Sequence, residues 1–272
     1  MSEKVLVRKK SKIYREINTV IAVMAREITV YLKSPGAAIM SLVMPIVMMG
    51  MIGGNLMQNM SGGIGFEFGP FMLVGMLVNM LFMISSMGMT SMVDDHDINF
   101  NQEMLVSPVS RYSLVVGKIL GASFAAVVSM VGTLIVGLIM GIMLPIGQLL
   151  LILALSPLMC LSGGALSMLI IGLVKSRKAA NYAVNIIIMP QMFLSGAIIP
   201  VNDSSGILMV LSRCMPMTYC LDLVRAVVYA GTPEYDSVVM FNPLINFIAV
   251  TGLTLVCLII GTFLFARSEK HR

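Results

Sequence analysis

Long uncharged runs rich in Leu, Ile, Val and Met separate the charged residues of this 272-residue chain. Two of these runs extend from Lys33 to Glu67 and from Glu67 to Asp94, and a longer one extends from Lys118 to Lys175. A helix of about 20 apolar residues crosses the hydrocarbon core of a bilayer. The runs therefore predict helices that span a membrane.

The overall composition agrees with this interpretation. Hydrophobic residues make up 58% of the chain and charged residues 11%, with a mean hydropathy of +0.94, whereas a soluble domain carries about 25% charged residues. So few charges cannot cover a globular surface, which argues against a soluble enzyme or a disulfide-stapled secreted domain. The net charge of +5 does not predict nucleic-acid binding, because Lys and Arg form no continuous patch.

The uncharged runs predict an all-α integral membrane protein with six transmembrane helices in one domain, 1–272. Pro145-Ile-Gly-Gln148 interrupts the longest run and predicts a tight hairpin between the third and fourth spans. The six predicted spans cover residues 35–57, 70–92, 115–144, 149–174, 180–199 and 243–266.

The segment 201–235, between the fifth and sixth spans, holds two apolar pieces that are each too short to cross a bilayer. Pro216 separates them, which predicts two short re-entrant helices. Asp222 and Arg225 are three residues apart on the second piece, share a helix face and are predicted to form an ion pair.

The basic residues indicate the orientation in the membrane. With six spans, 16 of the 18 Lys and Arg residues lie on one side, and only Arg213 and Arg225 lie on the other. Because basic loops stay in the cytoplasm, both termini are predicted to be cytoplasmic and the segment 201–235 extracytoplasmic. Cys214 and Cys220 lie in that segment, where a disulfide between them is left open.

An amphipathic helix is predicted over 13–33, before Pro35. Its apolar positions follow steps of three and four, which is typical of a helix lying along the membrane surface. Those positions are Ile13, Ile17, Val20, Ile21, Met24, Ile28 and Leu32, and the polar residues between them are Arg15, Glu16, Asn18, Arg26 and Glu27.

No catalytic or cofactor site is predicted in this chain. The run Asp94-Asp95-His96-Asp97 lies at the end of a predicted helix facing water, and no second His or Cys accompanies it, so we interpret it as solvated rather than as a metal site. No phosphate-binding sequence GxxxxGK[ST] occurs. The middles of the predicted spans contain no Asp, Glu, Lys, Arg or His, and paired buried groups suited to an enzyme are missing.

Two stretches carry a family resemblance. Residues 99–111, with the sequence Asn-Phe-Asn-Gln-Glu-Met-Leu-Val-Ser-Pro-Val-Ser-Arg, followed by Gly117-Lys118, resemble the cytoplasmic coupling loop of type-2 ABC (ATP-binding cassette) transporter permeases. A second series is similar to the family's Ser-Gly-x-x-x-Pro, Pro-x-Thr-Tyr and Asp-x-x-Arg motifs. Its residues are Ser195, Gly196, Pro200, Pro216, Thr218, Tyr219, Asp222 and Arg225.

The resemblance, which covers the chain from about Arg26 onward, implies the permease subunit of an exporter in a prokaryotic plasma membrane. It also implies a homodimer or heterodimer of permeases and a separate cytoplasmic ABC ATPase that binds Mg-ATP. An ATP-independent secondary transporter or channel is the alternative. The 28 Met residues favour a lipophilic or amphiphilic substrate, drug-like or lipid-like, with a polysaccharide as the second choice. An equal interpretation is that these Met residues only fill gaps between helices.

The same resemblance assigns roles to individual residues. The coupling helix that docks on the ATPase would contain Glu103, Leu105, Ser107, Pro108 and Arg111. The amphipathic helix would be the family's connecting helix, with Arg15, Ile17, Met24, Arg26 and Glu27. The re-entrant segment would cap the pathway on the outer side, with Ser195, Gly196, Pro200, Pro216, Tyr219, Asp222 and Arg225.

Overall fold

The structure is a computed structural model, and it describes residues 2–53, 66–94, 110–174, 176–200 and 206–270. Every regular element in these ranges is a helix, which confirms the predicted all-α class. The predicted coupling residues Glu103, Leu105, Ser107 and Pro108 lie outside the described ranges.

Four helices are long and apolar enough to cross a bilayer. They are α3 (Phe68–Asp94), α4 (Arg111–Ile139), α5 (Ile146–Leu173) and α10 (Pro243–Lys270).

Two further pairs of helices are sharply bent, and in each pair the second helix begins at a proline. Helix α1 (Ser2–Leu32) meets α2 (Pro35–Val47) at 81°, and a π-helix over Met48–Gly53 follows. Helices α7 (Ile207–Cys214) and α8 (Pro216–Val228) meet at 82°. Because a residue before proline avoids the helical conformation, each break lies directly before a proline, at Ser34 and Met215.

The number of membrane spans depends on these bent pairs. By length and composition the described chain contains four spanning helices, or up to six if each bent pair counts as one span. Helix α6 (Arg177–Leu194) corresponds to the predicted fifth span. It is shorter than the four spanning helices and carries polar residues along its length, so by length and composition it is not among them. A four-residue helix, α9 (Tyr235–Val238), precedes α10.

Helix α3 lies at the centre of the bundle. Its most apolar stretch is 83% buried, against 44% for those of α4 and α5 and 28% for that of α10. Helices α4, α5, α6 and α8 all pack against it. The outer helices expose large apolar side chains such as Ile139, Leu244 and Phe263, which is the opposite of a soluble protein and is expected for helices that face lipid.

Candidate functional site

The start of α4, directly after the predicted coupling loop, is held by two other helices. Arg111, the one predicted coupling residue that the structure describes, donates a hydrogen bond from Nη1 to the carbonyl oxygen of Ala266 in α10 at 2.8 Å. The second helix that holds it is α1, in which the Glu16 carboxylate accepts hydrogen bonds from the Ser110 N–H at 3.1 Å and the Ser113 hydroxyl at 2.7 Å. Glu16 therefore caps the N-terminus of α4, where a negative charge is favourable.

Helices α1 and α4 run in the same direction and pack closely along two glycines. A side chain at Gly117 would lie 3.0 Å from the Val20 carbonyl oxygen, and one at Gly121 would collide with the side chain of Glu27. The contacts follow the same order along both helices. Glu16 meets Ser110, Val20 meets Gly117, and Glu27 meets Gly121. The two helices thus form one packed unit, which we name the α1–α4 unit.

A buried ion pair joins the same two helices. Lys118 in α4 is 5% exposed, and its Nζ lies 3.5 Å from Glu27 Oε1 in α1. Arg26 Nη1 lies 2.9 Å from the same oxygen. A buried ammonium group needs such a partner, because removal of its hydration is costly.

The other predicted connecting-helix residues have different surroundings. Arg15 and Ile17 are exposed, and Met24 is half-buried. Ile13, Ile17 and Ile21 point away from the protein, whereas Val23 is buried. Helix α1 thus has one face on α4 and one uncovered apolar face, and contact of that apolar face with the membrane surface stays a prediction.

A cavity of about 640 Å³ lies between the end of α1 and helices α2, α3, α4 and α6. Glu27 is the one charged residue among the described residues that line it, and Asn79 and a few serines are polar. The rest of the lining is mostly apolar, and its methionines are Met40, Met44, Met48, Met80, Met83, Met87, Met189 and Met192. Such a wall of flexible thioethers adapts to apolar groups of different shape.

The Asp222 carboxylate organises the opposite end of the molecule. Asp222 is 2% exposed and accepts hydrogen bonds from the N–H groups of Met240 and Phe241 and from Asn246 Nδ2, all at 2.8 Å. Three donors in the approach to α10 and in its first turn are therefore satisfied by one side chain of α8.

Arg225, one turn further along α8, has other partners. Its Nη2 donates to the carbonyl oxygen of Gly196 at 2.8 Å, and its guanidinium carbon lies 3.6 Å from the centre of the Phe71 ring in α3. In the described structure no ion pair joins it to Asp222, so the predicted pair is wrong. The two residues share a helix face, but the free N–H groups before α10 and the free carbonyl after α6 provide nearer partners.

The remaining residues of the second motif series surround this cluster. Gly196 follows α6 with a φ of 84°, which favours glycine, and the next carbonyl, that of Ala197, lies against Gly75 of α3. Ser195 is buried, Pro200 is half-buried, and Pro216 begins α8. The Tyr219 hydroxyl donates to the Arg213 carbonyl oxygen at 2.7 Å.

The structure thus brings together the outer motif residues but leaves the two cysteines apart. Cys214 is exposed, Cys220 is buried, and both are free thiols. Sequence reasoning missed the cap by Glu16 and the ring of Phe71 under Arg225, since each partner lies far away along the chain. Asn79 is not among the predicted site residues, although it lines the cavity.

Comparisons with known proteins identify the family of this chain. The sequence model of the ABC-2 type transporter family matches residues 18–229. Nodulation protein J of Rhizobium meliloti (strain 1021) is 30% identical over 80 residues, which are 28% of this chain and 30% of that protein. The match with that relative therefore spans less than a third of its length. The family match includes helix α1 from residue 18, the cavity and the outer motif residues, and on this basis the chain belongs to the ABC-2 type transporter family.

Proposed function

We propose that this chain is the permease subunit of an ABC exporter that moves a lipophilic or amphiphilic substrate out of a prokaryotic cell. ATP would be hydrolysed, as Mg-ATP, by a separate cytoplasmic subunit. One observation carries this proposal: the α1–α4 unit meets the predicted coupling loop at one end and forms a wall of the methionine-lined cavity at the other.

In this mechanism the α1–α4 unit transmits movement. The ATPase would displace the coupling residues Glu103, Leu105, Ser107 and Pro108, and the start of α4 would follow because Ser110 and Arg111 continue directly from them. Tight contacts at Gly117 and Gly121 would carry α1 along with α4. The cavity lining contributed by α1 and α4 would then shift against α3.

The chemistry of the cavity supports the substrate class. Its wall is apolar and rich in methionine, and Glu27, the one charged residue among its described lining residues, is already paired with Arg26 and Lys118. A highly hydrated polysaccharide would gain little from such a wall. A drug-like or lipid-like molecule would bury apolar surface there.

The assembly would contain two permeases, identical or different, and two ATPases. Both termini and the coupling loop would be cytoplasmic, and the cluster around Asp222 and Arg225 would close the outer end of the pathway. Thiol labelling tests this orientation in a background without the native cysteines. Cysteine at exposed Asp236 should react with an impermeant maleimide on intact cells, and cysteine at exposed Ser176 should react only after lysis. The reverse pattern would contradict the topology.

A reconstitution experiment tests the function. The purified chain alone should show no vanadate-sensitive ATPase activity, whereas its complex with the co-purifying ATPase should export a fluorescent amphiphile from proteoliposomes in an ATP-dependent way. Glu103→Lys should assemble normally but export poorly. ATP hydrolysis by the chain alone would contradict the proposal, and export driven by an ion gradient without ATPase would favour a secondary transporter.

A further inference from the structure

One polar group in the methionine-lined cavity lacks a hydrogen-bond partner. Asn79 in α3 is 0% exposed, and its Nδ2 has only a weak contact, 3.8 Å from the Met217 sulfur. Its Oδ1 has no hydrogen-bond partner in the part of the chain that the structure describes. Buried amide oxygens are normally hydrogen-bonded, so Asn79, a residue of the cavity lining, carries an unused acceptor.

The surroundings of Asn79 select against an ionised ligand. The lining next to it in α3 consists of Met80, Met83 and Ile84. The carboxylate of Glu27, at the α1 side of the cavity, already accepts from Arg26 and Lys118. An ionised group buried near Asn79 would lose its hydration without a nearby opposite charge.

Apolar side chains also border the cavity where it is open to the outside. Met40 and Met44 on α2 and Met189 and Phe193 on α6 line the cavity and are at the same time largely exposed. A ligand would therefore reach the cavity between α2 and α6, from the apolar side of the protein rather than through water. This route suits a molecule that is already dissolved in the membrane.

We propose that the cavity binds the apolar chain of an uncharged amphiphile, and that a hydroxyl or N–H group of this ligand donates a hydrogen bond to Asn79. The proposal rests on the proposed function and specifies its substrate class. The volume of about 640 Å³ falls within the range of small-molecule sites, about 300–1,000 Å³. The methionines would adapt to the chain, and Asn79 would select the polar group.

Photolabelling of the purified chain in lipid nanodiscs tests this site without any ATPase. The probe is a long-chain alcohol with a diazirine in its chain, compared with the matching hydrocarbon and the matching quaternary ammonium compound. The alcohol should label the cavity-lining segments of α2, α3 and α6, and unlabelled alcohol should compete. Asn79→Leu should weaken alcohol binding about tenfold, the effect of about one hydrogen bond, and leave hydrocarbon binding unchanged.

Two further variants control for folding. Asn185→Leu changes an asparagine of α6 that donates to the Asn181 carbonyl and does not line the cavity, so it should bind the alcohol normally. Met83→Trp should fill the cavity and abolish labelling by both alcohol and hydrocarbon, while the protein still elutes as a single folded species. Loss of alcohol labelling in Met83→Trp supports the location even if Asn79→Leu proves unstable.

Several outcomes would overturn the proposal: equal alcohol affinity in Asn79→Leu and the native protein, equal labelling by the quaternary ammonium compound, or labelling mainly outside the cavity. ATP-dependent export of the bound alcohol by the full complex would identify it as cargo, and retention of the alcohol, not activated by light, during ATP turnover would contradict a substrate site. Failure of the proposed function looks different, because alcohol binding would persist while no probe moves with ATP.

Discussion

Two carboxylates accept hydrogen bonds next to helix starts at opposite ends of this protein, and their surroundings differ. Glu16 is half-buried and accepts hydrogen bonds at the start of α4, next to the predicted coupling loop. Asp222 is buried and accepts from two backbone N–H groups and one side-chain amide at the approach to α10. A carboxylate therefore accepts hydrogen bonds at both ends, in a place that water can reach at one end and in an enclosed place at the other.

This difference in burial indicates which contacts can change during a transport cycle. Water can replace the carboxylate of Glu16 if α4 shifts, so breaking that cap costs little. The donors around Asp222 and the guanidinium of Arg225 are shielded from water, so breaking those contacts would leave buried polar groups unpaired. We expect the outer cluster to behave as a fixed unit and the cap at Glu16 as an exchangeable one.

The largest effect is expected at Asp222. Asp222→Ala removes the acceptor of three hydrogen bonds, of which the one from Asn246 is buried and those from Met240 and Phe241 are partly buried, so the free energy of unfolding should fall by about 3 kcal/mol. Denaturant titration in mixed micelles measures this change. Asp236→Ala, at an exposed position in α9, is the matched control and should change it by less than about 0.5 kcal/mol. Equal effects of the two variants would contradict the enclosed character of the outer cluster.

The double variant of Asp222 and Arg225 tests whether this cluster contains an ion pair. Because the two side chains have separate partners, the double variant should lose more stability than either Asp222→Ala or Arg225→Ala alone. The same titrations on the two single variants and the double variant provide the measurement. A double variant no less stable than either single one would restore the ion pair that the sequence predicts.

Gly→Ala substitutions at close helix contacts test the same difference between the two ends. Gly75→Ala would press against the Ala197 backbone, which cannot give way easily, so it should cost about 1–3 kcal/mol of stability. Gly121→Ala would place its Cβ against Glu27 Cβ and 3.3 Å from the Met24 carbonyl oxygen, a smaller overlap than at Gly75, and should cost less. Gly252, with nothing within 4 Å, is the control, and its change to Ala should be neutral or stabilise by up to about 1 kcal/mol. Melting temperatures in detergent give the order, and the reverse order would contradict it.

The smallest effect on stability is expected at Glu16. Glu16→Ala removes a helix cap that is partly accessible to water, so it should cost about 1 kcal/mol. Export per ATP hydrolysed should fall more clearly, since the start of α4 would no longer be tied to α1. Asn18→Ala, exposed on the same helix, should change neither quantity. Unchanged export per ATP in Glu16→Ala would exclude the α1–α4 unit as the route of coupling.

Much of the fold could be predicted because it depends on local properties of the chain. Uncharged runs indicate membrane helices wherever they occur, and the breaks before Pro35 and Pro216 follow from the geometry of proline itself. Spacing also predicted that Asp222 and Arg225 share a face of one helix, but it could not predict which partners each would meet. The predicted 180–199 span shows the limit of composition, since the helix over most of that range ends at Leu194 and carries several polar residues.

The membrane class, the helices, their proline breaks and the family follow from the amino-acid sequence. The tertiary structure alone decided that Glu16 caps α4, that Arg225 lies on Phe71 rather than on Asp222, and that eight methionines and Asn79 share one cavity. The physical reason is distance along the chain. Hydropathy and backbone preference act between neighbours, whereas a hydrogen bond between residues 94 positions apart exists only after helices have packed.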